Sequence, residues 1–152
     1  MENKSAFYRR LTQQAVALID GEPDIIANIS NISALLNMEL EDINWVGFYL
    51  LKENELVLGP FQGKPACVRI PVGRGVCGTA ASENKVQRVS DVHQFEGHIA
   101  CDAASNSEIV IPLLVKGQLY GVLDIDSPSL SRFDQEDEDG LVSFIEELQI
   151  KL

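Results

Sequence analysis

Glu108-Ile-Val-Ile-Pro-Leu-Leu-Val115, Lys116-Gly117 and Gln118-Leu-Tyr-Gly-Val-Leu-Asp-Ile-Asp-Ser127 form two apolar runs joined by a two-residue turn. Runs of this length around a Gly-containing pair predict a β-hairpin, and hairpins make antiparallel sheet. A second hairpin precedes it: Asn44 to Lys52 and Glu55 to Gln62 are strand-like and flank the polar corner Glu53-Asn54. Further strands are expected at Ala66 to Ile70 and Val86 to Val89.

Outside these strands the period changes. Phe7, Leu11, Ala15, Leu18 and Ile19 recur at helical spacing, as do Ile25, Ile29, Ile32 and Leu36, with Glu22, Pro23 and Asp24 suited to the second helix's first turn. Val72 to Ser82 reads as a glycine-bearing turn leading into a short helix. Asp134 is placed to cap a closing helix in which Leu141, Phe144, Ile145 and Leu148 face the core. Asp137 takes the capping-box position, and the acidic cluster Phe133 to Gly140 reads as a solvated helix start. Ser90 to Ser107 has no period of 2 or 3.6, and long irregular segments in small domains tend to be functional or mobile. The expected architecture is α+β, a largely antiparallel sheet flanked by helices, in one domain spanning residues 1–152.

Composition narrows the function classes. The chain has 152 residues, 45% hydrophobic and 23% charged, so disorder is excluded and a core can form without disulfide or metal staples. With 12 Lys and Arg against 23 Asp and Glu, the net charge of -11 repels phosphate backbones and anionic lipid, so no nucleic acid or membrane partner is expected. No run approaches the roughly 18 apolar residues of a membrane span. The polar start, Met1 to Arg10, lacks a signal core, which leaves the cytoplasm as the expected location and thiols as the resting state of the three cysteines.

Three groups of residues could carry chemistry. Cys67 lies within an apolar strand and Cys77 between Val76 and Gly78, where a cysteine is often only a small buried hydrophobe. Cys101 lies in the irregular segment, where a thiol can meet a small molecule and have its pKa tuned. Asp124 and Asp126 are two apart on a strand, so both point from one face while Leu123 and Ile125 point from the other; Glu108 opens the neighbouring strand. Three carboxyls meeting in an enclosed cup cannot all ionise comfortably, and one should keep its proton and serve as an acid. Trp45, Gly47 and Tyr49 share a strand face, with a gap at Gly47 where a small apolar group could lodge between two rings. His93, His98 and Cys101 match no zinc spacing, and Gly73-Arg-Gly75 with Gly78 is not a phosphate loop, so neither metal nor cofactor is expected.

Asn44-Trp-Val-Gly-Phe-Tyr49, Leu58-Gly-Pro-Phe-Gln-Gly63, Gly73-Arg-Gly-Val-Cys-Gly78, Ala100-Cys-Asp102, Ser107-Glu108 and Leu123-Asp-Ile-Asp-Ser-Pro128, in this order, resemble the free methionine-(R)-sulfoxide reductases, single GAF domains. The resemblance spans nearly the whole chain and includes all three cysteines. It implies a GAF-like fold and thiol-dependent reduction of the free R sulfoxide to methionine, reset by thioredoxin. Cys101 would be the nucleophile, Cys67 the principal resolving thiol, and Cys77 a secondary or structural one. Glu108, Asp124 and Asp126 would be the substrate-site carboxyls, and Trp45 and Tyr49 the niche for the sulfoxide methyl.

The residues fit that chemistry in their own right. Ionised carboxylates can hold the substrate's amine, a protonated one can polarise S=O, and the rings can take the methyl. Backbone N–H groups of the Cys101 to Ser107 loop can take its carboxylate. A thiolate attacking the polarised sulfur leaves a sulfenic acid that a second thiol condenses to a disulfide. The competing reading is a GAF small-molecule sensor without catalysis, which needs no second reactive thiol. A homodimer is compatible with either.

Overall fold

The computed structural model describes residues 2–98 and 104–152. Two helices open the chain, α1 (Lys4–Ile19) and α2 (Ile25–Glu39), each begun by a side-chain cap: Asn3 accepts from the Ala6 amide and Asp24 from the Ala27 amide. Asp24 is thus the cap itself, and Pro23 stands before the helix rather than in its first turn. The first hairpin is β1 (Trp45–Lys52) and β2 (Glu55–Gly63), followed by the short β3 (Arg69–Pro71), α3 (Gly75–Glu83) and β4 (Gln87–Val89). A single 3-10 turn, Val92–Gln94, is the regular structure described before the second hairpin, β5 (Ser107–Val115) and β6 (Gln118–Ser127), and α4 (Gln135–Lys151) closes the fold.

The six strands form one sheet in the order β3-β2-β1-β6-β5-β4, every pair antiparallel. Strand alternation sorts its side chains into two cores. Val46, Phe48, Leu50, Ile109, Ile111, Leu113, Leu123 and Ile125 pack under α1, α2 and α4. Trp45, Tyr49, Leu56, Ile70, Val110 and Val122 face the other way, against Val76, Cys77, Ala80 and Ala81 of α3. Both faces are covered, so β1 and β6 are almost wholly apolar in sequence, and a carboxylate on either one enters the interior.

Two local expectations are corrected. Cys67 lies in the loop before β3, not within a strand: β2 pairs only Glu55, Leu56 and Val57 with Pro71, Ile70 and Arg69, which leaves Ala66 and Cys67 outside the ladder. The start of α4 is not simply solvated. Its capping box is complete with an Asp at the third position, and Asp137 is buried, accepting from the Tyr8 hydroxyl at 2.7 Å and pairing with Lys4 at 2.7 Å and Arg132 at 3.4 Å. This hub ties α4 to α1, and Gly140 lets the Tyr8 ring lie where a Cβ would stand.

Candidate active site

The second core face carries the acids. In the register of β5 and β6, Glu108 stands opposite Asp126 and Val110 opposite Asp124, while β1 sets Trp45 beside Asp126 and Gly47 beside Asp124. Three strands thus bring the expected carboxyls and aromatics to one place. A cavity of about 50 Å³ lies among them, lined by Trp45, Tyr49, Cys77, Glu108, Asp124 and Asp126, with Ala66, Ile70, Arg74, His98 and Ser105 among the other wall residues. A larger groove of about 980 Å³ between α1 and α4 contains none of these residues.

The acids are not a solvated edge. Glu108 is 7% exposed and Asp124 5%, and one oxygen of Asp124, Oδ1, is buried without a hydrogen-bond partner. Burial, reinforced by the neighbouring charges of Asp124 and Asp126, pushes the Glu108 carboxyl well above the usual carboxylate range. Burial also raises Asp124, though hydrogen bonds from Glu108, Cys77 and Asp126 oppose it. Burial and the neighbouring charges therefore favour the protonated form of Glu108. His98, half-buried in the wall, is lowered by desolvation and by His93, whose ring lies 6.2 Å away. His93 itself meets Asn106, just before β5, at 3.0 Å.

The aromatic wall differs from the expected one. Trp45 stacks on Tyr49 with centroids 5.9 Å apart and on Phe61 at 5.2 Å. The gap at Gly47 is filled: Phe61 of β2 lies across it, so a Cβ there would strike its side chain and backbone. The apolar surface open to a ligand is thus the cavity side of Trp45 and Tyr49, not a slot between them. Both rings are anchored at their polar tips. Trp45 Nε1 donates to the Lys64 carbonyl at 3.1 Å, and the Tyr49 hydroxyl donates to the Cys67 carbonyl at 2.8 Å, which fixes the Cys67 loop against the cavity wall.

Of the cysteines, Cys67 is half-buried and disulfide-bonded. Cys77 is a free thiol, 5% exposed, with Sγ 3.9 Å from Glu108 Oε2, and burial beside Asp124 and Glu108 pushes it well above the usual thiol range. Cys101 lies outside the described residues, as does the start of the Cys101 to Ser107 loop. Cys77 Sγ and carboxylate oxygens of Glu108 and Asp124 fall within 4.8 Å of one another, a donor set a cation could enter only by displacing protons that burial favours. Arg74, Ile70 and Ser105 line the cavity without having stood out in the sequence. An arginine set between two glycines at a helix start is the one trace that could have pointed to Arg74.

Residues 9–152 match the GAF domain family, whose α+β fold this antiparallel sheet flanked by helices shares. The chain is 62% identical over 147 residues to the free methionine-R-sulfoxide reductase of Escherichia coli K12, covering 97% of this chain and 89% of that one. The fRMsr of Staphylococcus aureus, solved in complex with substrate, is 56% identical with a TM-score of 0.91 and 95% coverage of both chains. Free methionine-R-sulfoxide reductase from Neisseria meningitidis, also solved with its substrate, is 42% identical with a TM-score of 0.93, covering 99% of this chain and 91% of that one. Within the GAF family, the chain belongs to the free methionine-R-sulfoxide reductases.

Proposed function

We propose that the protein reduces free L-methionine (R)-S-oxide to methionine with its own thiols, Cys101 as nucleophile and Cys67 as resolver, and that thioredoxin resets it. The reading is supported above all by one observation: buried Glu108 stands beside Asp124 and Asp126 in the same cavity as Trp45 and Tyr49. The family's activity, an oxidoreduction of methionine sulfoxide, accords with that set of groups.

The sulfoxide needs its oxygen protonated as its sulfur is attacked. Glu108 would donate to S=O, with Asp124 and Asp126 holding the ammonium and solvent returning the proton to Glu108. The Cys101 thiolate forms a bond to sulfur, the S=O oxygen is transferred to the cysteine, and methionine leaves with Cys101 as a sulfenic acid. Cys67 then attacks that sulfur, a disulfide forms, and water carries off the oxygen. A dithiol such as thioredoxin exchanges with the disulfide and restores both thiols. The oxidised state of Cys67 and its tether to Tyr49 favour Cys67 over Cys77, whose buried thiol resists ionisation.

The same reading includes a single domain over residues 1–152, a cytoplasmic setting, and a homodimer as a compatible state. No helix among the described residues is long and apolar enough to cross a membrane. The decisive experiment supplies thioredoxin, thioredoxin reductase and NADPH, and follows NADPH oxidation on free R sulfoxide, free S sulfoxide and a sulfoxide-containing peptide. Turnover confined to the free R form is expected; turnover of none of them would favour the sensor instead.

A further inference from the structure

The connection that carries Cys67 hangs on the two rings of the cavity. Residues 64–68 run between β2, which ends at Gly63, and β3, which begins at Arg69, and they lie outside the sheet ladder. The chain leaves β2 at Gly63 with a φ of 138°, over the edge of Trp45, where a Cβ would strike the indole. Pro65 and Ala66 then line the cavity, and Val68 is exposed. Chain of this kind has no ladder to hold it, so its course is set by the hydrogen bonds its carbonyls accept.

The rings supply two of those bonds, one near each end. Trp45 Nε1 donates to the Lys64 carbonyl and the Tyr49 hydroxyl to the Cys67 carbonyl, at 3.1 and 2.8 Å, while the Leu58 amide donates to the Val68 carbonyl at 2.9 Å. Trp45 and Tyr49 are buried, stacked on each other, and Trp45 stacks on Phe61 as well, so neither ring can follow the connection if it moves. Burial, reinforced by the charge of Asp124, pushes the Tyr49 phenol up, so it keeps its proton and remains a donor. The Tyr49 bond acts on the peptide unit of Cys67 itself.

We propose that Tyr49 is a positioning residue for the resolving thiol: its hydroxyl, acting with the Trp45 indole N–H, pins the Cys67 connection to the cavity wall and so sets the effective concentration of Cys67 toward the oxidised nucleophile. The inference rests on the reading of Cys67 as resolver. In the step it governs, the Cys67 thiolate attacks the sulfenic sulfur of Cys101, an S–S bond forms and the S–O bond breaks. The oxygen leaves as hydroxide, which takes up the proton released by Cys67 and becomes water. The success of that attack depends on how narrowly the thiol is confined, and an untethered connection spreads it over many positions. One ring thus walls the substrate niche and holds the second thiol beside it.

The test equilibrates the full-length wild type and Tyr49→Phe with mixtures of reduced and oxidised glutathione, quenches with acid, alkylates the free thiols and quantifies the Cys67–Cys101 disulfide by peptide mapping. Loss of one buried hydroxyl-to-carbonyl bond should lower the equilibrium constant for closing that disulfide roughly tenfold in Tyr49→Phe. A role for Tyr49 confined to packing or to the substrate niche would shift the variant's urea midpoint or its KM and leave this constant unmoved. A constant within about twofold of the wild-type value would therefore overturn the assignment alone. Normal thioredoxin-driven turnover in Cys67→Ser would overturn the resolver reading, and the assignment with it.

Discussion

Glu108 of β5 and Asp126 of β6 stand directly opposite each other on the covered face of the sheet, next to buried Asp124. Like charges in cross-strand register oppose folding, and here they also share a low-dielectric cavity. The arrangement is tolerable when the cluster retains a proton, and it is Glu108 that burial pushes furthest from its ordinary range.

A pH dependence follows for both activity and stability. Raised on folding, Glu108 stays protonated in the native state over a pH window in which the unfolded chain has already released that proton. The native state therefore binds more protons in that window, and stability falls as pH rises from the ordinary value of 4.5 toward the raised one. Glu108→Gln removes the ionisation and should flatten this decline in urea titrations run across pH. The same change should lower kcat/KM by roughly 100-fold or more, the scale of a lost general acid. Full activity in Glu108→Gln, Asp124→Asn and Asp126→Asn alike would remove the cluster from the mechanism.

Trp45 gives a second test, because its ring is both cavity wall and core. Trp45→Phe keeps an apolar wall, whereas Trp45→Ala removes it together with the stacking on Tyr49 and Phe61. The alanine variant should raise KM for the sulfoxide more than the phenylalanine variant does, and should lose roughly 3 kcal/mol or more of stability. Circular dichroism at each assay temperature separates the two effects. Equal KM in all three proteins would leave Trp45 a packing residue only.

Much of this site was legible before the fold was known, because strand alternation is a local rule. Asp124 and Asp126 had to share a face, and a two-residue turn had to bring Glu108 across from them. What escaped depends on which distant strand lies alongside. The space at Gly47 is open in sequence and closed in the fold because the β1–β2 register sets Phe61 over it. Cys67 read as part of a strand from its apolar neighbours, yet it lies ahead of the β2–β3 ladder, which begins at Arg69. Asp137 looked like a surface cap because its true partners, Lys4 and Tyr8, lie more than 120 residues away.

That distant partnership predicts a stability effect with no direct bearing on chemistry. Asp137→Ala would leave the buried Tyr8 hydroxyl without its acceptor, remove the ion pairs to Lys4 and Arg132, and break half of the capping box. The cost should be roughly 2–4 kcal/mol by urea denaturation, as for other broken buried networks. Asp137→Asn retains the shape and one acceptor, and should cost less. A loss below about 0.5 kcal/mol in Asp137→Ala, the level of an ordinary surface change, would mean that the α1–α4 hub contributes little.

The thiol roles separate by stoichiometry. Forming one methionine needs one thiol, while repeated turnover with thioredoxin needs a disulfide for it to attack, so single-turnover and steady-state assays report different residues. Cys101→Ser should yield no methionine in either. Cys67→Ser should release about one methionine per site as the lone thiol passes to sulfenic acid, and that acid should be trapped on Cys101 by a sulfenic-acid reagent. Its thioredoxin-driven turnover should be poor, because the alternative resolver, Cys77, is a buried thiol whose ionisation is opposed by Asp124 and Glu108. Peptide mapping of substrate-oxidised wild type is expected to join Cys67 to Cys101. A Cys77–Cys101 bond with normal turnover in Cys67→Ser would reassign the resolver and leave the nucleophile in place; normal turnover in Cys101→Ser would end the mechanism.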